Sequence, residues 1–123
     1  MKKIDLGKSS GHYSSAVISG NYVFVSGQLS TDPVTGAVPS TIFEETITAL
    51  KKVEEIVCAC GVNKESIVQC RVYMTANEQW EEMNKAYAQF FGTHKPARVA
   101  FPALGLSKGC HIEIEAIAEL SAT

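Results

Sequence analysis

Apolar and polar residues alternate over Tyr13–Ser19 and again over Tyr22–Gln28, the period-two signature of strands with one covered face. Gly20-Asn21 joins the two runs and predicts a hairpin, with a glycine free to take positive φ. Within the second run Tyr22, Phe24 and Ser26 share one face, and Val23, Val25 and Gly27 share the other. Asp32-Pro33-Val34-Thr35-Gly36 has the residues of a turn. The period then lengthens. Ile42, Thr46, Ala49, Leu50, Val53, Ile56, Val57 and Cys60 recur every three or four positions, which predicts a helix over Thr41–Cys60 that Gly61 stops. Glu44 and Glu45 fall at its positive end. Ile67–Met74 reads as a strand, with Val68, Cys70, Val72 and Met74 on one side. Asn77 is the expected cap of a second helix through Phe91, striped by Trp80, Met83, Asn84, Tyr87 and Phe91. Val99–Leu104 and His111–Leu120 complete the strands, and residues 1–12 read as a polar lead-in.

This order of β-β, helix, β, helix, β-β predicts an α+β fold: a mixed β-sheet with two helices packed on one face. The last strand sets Ile112, Ile114 and Ala116 against one side and His111, Glu113, Glu115 and Ile117 against the other. The mixed polarity of that second face invites a subunit interface.

A length of 123 residues predicts a single domain over 1–123. The net charge of -2 supplies no basic footprint for nucleic acid and no polybasic membrane patch. No apolar run approaches the ~20 residues of a membrane span, and Asp5, Gly7 and Lys8 interrupt any leader-like segment. The expected location is the cytoplasm. Cys58, Cys60, Cys70 and Cys110 lack zinc spacing and are expected to be free and mostly buried.

Nucleophile-elbow, Walker A, dinucleotide and HExxH patterns are all missing from the sequence. His12, His94 and His111 are scattered and read as loop or surface residues. The informative charge is Arg98, which follows Pro96-Ala97 where a buried strand should begin. A guanidinium is never neutral and is costly to bury unpaired. Arg98 therefore either forms an ion pair with Glu113 on an adjacent strand or clamps an anionic ligand. In the second case Glu113 is placed to orient or deprotonate a water, and Glu115 on the same strand face has an equal claim.

Six segments occur in a family order: Gly11-His-Tyr13, Val23-Phe-Val-Ser-Gly-Gln28, Asp32-Pro-Val-Thr-Gly36, Asn84-Lys-Ala-Tyr-Ala-Gln-Phe-Phe91, Pro96-Ala-Arg98 and Ile112-Glu-Ile-Glu-Ala-Ile-Ala118. With them the chain resembles the Rid/YjgF family of reactive-intermediate deaminases, in its archetypal RidA branch. The resemblance implies a chorismate-mutase-like fold and a homotrimer with clefts between subunits. It implies hydrolysis of 2-imino or enamine acids, such as 2-iminobutanoate and 2-iminopropanoate, to 2-keto acids and ammonia, without a cofactor or metal. By the same resemblance Arg98 binds the substrate carboxylate and Glu113 positions water. Tyr13, Ser26, Gly27 and Asn84 line the cleft, and backbone groups at Ala100 contact the imine or its water. Arg98 and Glu113 are expected from one chain, with wall residues from the next. Ala100 stands where many members carry Cys, Ser or Thr, Pro102 lies within the expected strand, and Ser107 replaces a usual proline. A non-catalytic, small-carboxylate-binding or chaperone-like trimer is the alternative; RNA cleavage fits the acidic balance poorly.

Overall fold

In the computed structural model, which describes residues 1–7 and 11–120, the alternating segments line up as one six-stranded sheet. In chain order the elements are β1 (Lys2–Ile4), β2 (Ala16–Ser19), β3 (Tyr22–Leu29), α1 (Ile42–Ala59), β4 (Ile67–Met74), α2 (Trp80–Phe91), β5 (Ala97–Pro102) and β6 (Ile112–Glu119). The sheet order is β1-β2-β3-β6-β4-β5. Every neighbouring pair is antiparallel except β4 and β5, which run parallel and are joined across α2, as a parallel pair requires.

One face of the sheet is apolar and closed by the helices. Val23, Val25, Cys70, Val72, Met74, Ile112, Ile114, Ala116 and Ala118 pack with Leu50, Val53 and Val57 of α1 and Met83, Tyr87 and Phe91 of α2. The expected mixed sheet with two helices on one face is what forms. Thr41 caps α1, its Oγ1 accepting from the Glu44 amide at 3.1 Å. Pro102 closes β5, an edge strand, where a missing N–H is tolerated.

Several expectations are corrected. Lys2–Ile4 is a strand rather than lead-in, pairing with Ala16–Ile18; residues 8–10 of that lead-in lie outside the described residues. The first hairpin strand starts at Ala16, not Tyr13. Val68 does not face the core, because an irregularity between Ile67 and Gln69 hands that position to Ile67. Asn77 opens a single 3-10 turn through Gln79 and is not its cap; Gln79 Oε1 accepts from the Thr75 and Ala76 amides instead. β5 begins at Ala97, two residues before the expected Val99. Of the four cysteines, all free, Cys70 and Cys110 are buried and Cys58 is exposed. Among the described residues, no helix is long and apolar enough to cross a membrane.

Glu45 is the largest departure from a simple apolar pattern, since it is 2% exposed. Its Oε1 accepts from Ser30 Oγ at 2.6 Å and the His111 amide at 2.8 Å, and its Oε2 lies 2.7 Å from His111 Nδ1. The carboxylate ties the end of β3 to the start of β6 through α1. His111 is exposed, as expected of a surface residue, and its ring and amide reach in to this buried carboxylate. Glu45→Ala should lower unfolding free energy by about 3 kcal/mol, because it leaves buried donors unpaired. Glu45→Gln keeps an acceptor for Ser30 and the amide, and places an N–H toward the His111 ring, so it should cost less than about 1 kcal/mol. Urea denaturation of the two variants checks the difference.

Candidate active site

Glu113 stands on the uncovered face of β6, between its core neighbours Ile112 and Ile114. It is paired with Leu29 of β3 and Tyr73 of β4. Between Val25 and Gln28 the β3–β6 register shifts, so the segment holding Ser26 and Gly27 bulges beside it. A Cβ at position 27 would lie 2.6 Å from Glu113 Oε2. Only a glycine lets the carboxylate sit where it does. Ser26 fixes the bulge: its Oγ donates to the Ser14 carbonyl at 2.6 Å, and its amide to Ser15 at 3.0 Å. That tether brings the Tyr13 segment alongside. Burial first, and the negative charge of Glu115 second, push the Glu113 carboxyl above the usual glutamate range. Glu115 itself accepts a hydrogen bond from Tyr73, which separates the roles of the two acids. Tyr13, Ser26, Gly27 and Glu113 line one cavity.

Arg98 lies elsewhere. Its Nη1 donates to Asn84 Oδ1 at 2.8 Å. Its guanidinium carbon stands 4.9 Å from the ring centre of Tyr87 and 5.7 Å from that of Trp80, within cation–π range. Ala100, two residues on, shares its strand face and packs at the margin of the core. Arg98 is exposed, and among the described residues no carboxylate reaches ion-pairing distance of it.

Of the two alternatives for Arg98, the ion pair with Glu113 across adjacent strands does not form. β4 lies between β5 and β6. Arg98 is in register with Cys70, and Glu113 with Tyr73. Those two β4 residues are an odd number of positions apart, so they point to opposite faces. Arg98, Asn84 and Ala100 form one group on the helix side, and Tyr13, Ser26, Gly27 and Glu113 form another on the open side. A single chain therefore does not bring Arg98 and Glu113 to one cleft. The cavity also takes in Lys52, Thr31 and Lys108, which the sequence reading did not single out. The signal for Lys52 was available: Ala49, Lys52 and Ile56 keep helical spacing, so a lysine interrupts the margin of an apolar stripe.

Gly27→Ala should leave the fold intact, since the backbone there has no positive φ and the clashing atom is the end of a flexible side chain. It should displace the carboxylate by about 1 Å and cut any Glu113-dependent rate by roughly 10²-fold. A kinetic comparison at matched thermal stability checks this.

A sheet with two helices on one face, a bulged glycine under a carboxylate and an edge-strand arginine together define an enzyme-like α+β scaffold. The sequence profile of the Endoribonuclease L-PSP family matches residues 5–120, and the chain belongs to this family, also known as Rid/YjgF. It is 39% identical over 112 residues to a RutC family protein of Pyrococcus horikoshii, covering 90% of this chain and 89% of that protein. It is 37% identical over 109 residues to the 2-iminobutanoate/2-iminopropanoate deaminase of Homo sapiens, covering 88% and 80%. Among solved structures, TdcF of E. coli with bound serine superposes with a TM-score of 0.91 at 33% identity, over 98% of this chain and all of that one.

Proposed function

We propose that the protein hydrolyses 2-imino acids, 2-iminobutanoate and 2-iminopropanoate among them, to 2-keto acids and ammonia. The observation that carries this reading is Arg98: a guanidinium oriented by Asn84 and two aromatic rings, with no acid among the described residues to neutralise it. Its remaining N–H groups suit a substrate carboxylate. The kinship with the human deaminase supports the same chemistry, and the net charge of -2 speaks against RNA as substrate.

The reaction needs little from the protein beyond placement. A protonated imine is already electrophilic. Arg98 holds the acid group, and backbone groups near Ala100 contact the imine. Glu113 takes a proton as water adds to the imine carbon. That proton then passes to nitrogen, and the freed Glu113 carboxylate takes the proton of the new hydroxyl as the carbonyl forms and the carbon–nitrogen bond breaks; ammonia leaves with the keto acid behind, and the proton on Glu113 goes to ammonia or solvent. Holding substrate and water together supplies up to ~7–11 kcal/mol. Tyr13, Ser26 and Gly27 form the wall around Glu113.

The two residue groups meet if two copies of the chain contribute to each cleft: Arg98, Asn84 and Ala100 from one, Glu113 and its wall from the other. This revises the expectation that both charged residues come from one chain. It fits a chorismate-mutase-like homotrimer, and the open sheet face carries the apolar surface such an assembly needs: Tyr22, Phe24, Val99 and Phe101 are each more than two-fifths exposed. Multi-angle light scattering at micromolar concentration should give three times the chain mass. A monodisperse monomer would defeat both the assembly and the site.

The test of function couples the protein to a threonine dehydratase, with semicarbazide trapping free imine. Keto-acid release should accelerate in proportion to added protein. If it does not, while small keto acids still bind, the non-catalytic carboxylate-binding reading replaces this one; the absence of a side-chain donor at Ala100 is the feature that favours it.

A further inference from the structure

The cavity that reaches Glu113 does not end there. Its volume is about 790 Å³, within the range that encloses drug-sized ligands, and an imino acid of three or four carbons fills little of it. Its wall also includes Thr31, Lys52, Ser107 and Lys108, with Asp32 and Glu55.

Two features of that wall are unexplained by the fold alone. Lys52 is half-buried, and its Nζ donates to the Leu29 carbonyl at 2.6 Å, the Thr31 carbonyl at 3.1 Å and Thr31 Oγ1 at 3.2 Å. All three partners are neutral, and among the described residues no carboxylate comes within ion-pairing distance. A desolvated ammonium without a counter-ion is unfavourable unless an anion arrives. Lys108 adopts φ 61° and ψ 22°, and among the described residues it is the only non-glycine with positive φ. A side chain with a Cβ disfavours that conformation, and a strained residue in a ligand cavity is a mark of use. The charges of the two lysines interact. The acids on this wall answer Lys52 only through space: Asp32 and Glu55 attract it without reaching ion-pairing distance, Asp32 Oδ1 being taken by the Val34 and Thr35 amides at 2.8 and 2.9 Å and Glu55 lying on the exposed side of α1.

We infer that this end of the cavity receives a second anionic group, so that the preferred substrates are 2-imino dicarboxylic acids. The first carboxylate is held by Arg98 of the neighbouring copy, and the distal one meets Lys108 within the field of Lys52. The inference rests on the deaminase reading for its first carboxylate.

The test generates 2-iminoglutarate and 2-iminobutanoate in place with amino-acid oxidases and catalase, and measures keto-acid release. The ratio of kcat/KM for the dicarboxylic over the monocarboxylic imine should exceed one. It should fall about tenfold in Lys108→Gly, which removes one charge-assisted contact. Glycine is at home at positive φ, so this variant does not threaten the fold. Lys108→Arg should keep most of the preference. A ratio of one or less, or one that Lys108→Gly leaves unchanged, overturns the inference. If neither imine is hydrolysed, the deaminase reading falls by itself, and calorimetry decides this proposal. Tighter binding of 2-oxoglutarate than of 2-oxobutyrate, lost in Lys108→Gly, supports it, and equal binding overturns it.

Discussion

Arg98→Ala should lower kcat/KM for 2-imino acid hydrolysis by roughly 10²- to 10³-fold, the usual cost of removing one preorganised charge-binding donor. Stability should hardly change. Arg98 is exposed, and its contacts with Trp80 and Tyr87 are worth about 0.5–1 kcal/mol at such a site. That contrast separates a ligand-binding arginine from a structural one. Arg98→Lys should recover little, because an ammonium cannot offer two parallel N–H groups to a carboxylate. Full activity in a folded Arg98→Ala protein would sink the mechanism.

Glu113→Gln should be the second large loss, roughly 10²- to 10⁴-fold, because an amide of the same shape cannot take up the proton of water. Its pH behaviour adds an independent check. The carboxylate is the working form, so the rate should rise with pH as Glu113 ionises and fall as pH drops through its pKa. Burial and Glu115 raise that pKa, so the half-point should lie above the ordinary glutamate range. Glu115→Gln should move it down without abolishing the rate, since burial remains. An unshifted profile in Glu115→Gln would show that the two acids do not interact.

The two inactive variants also test the shared cleft. Mixing equal amounts of Arg98→Ala and Glu113→Gln chains, with subunits exchanged by mild denaturation and refolding, should restore activity at about one site in four of a cyclic trimer. Sites that draw both residues from one chain would gain nothing.

Much of this was legible in the sequence, for a physical reason. The alternation of Tyr22–Gln28 and Ile112–Ala118 and the three-to-four spacing of Leu50, Val53 and Val57 record which side of each element is dry, and those elements formed nearly where expected. Local signals failed where a distant partner decides. Lys2–Ile4 is a strand only because β2 offers it an edge. Glu45 is buried only because Ser30 and His111 arrive to satisfy it. The separation of Arg98 from Glu113 depends on strand order, and periodicity cannot say that β4 inserts between β5 and β6. Once the order is known, the parity of Cys70 and Tyr73 settles the faces. Gly27 was marked by resemblance, but its need for a missing Cβ is visible only with Glu113 beside it.

The strand order also bears on biosynthesis. β6 follows every other strand in sequence yet lies in the interior of the sheet, between β3 and β4. Until it emerges from the ribosome, the β1–β2–β3 hairpin unit and the β4–α2–β5 unit have no shared ladder, and the apolar face of α1 lacks the row formed by Ile112, Ile114, Ala116 and Ala118. Such non-local pairing is slow and leaves strand edges open in the meantime. Nascent chains stalled before residue 112 should be protease-sensitive and bound by chaperones, whereas chains released with β6 should gain protease resistance as β6 inserts.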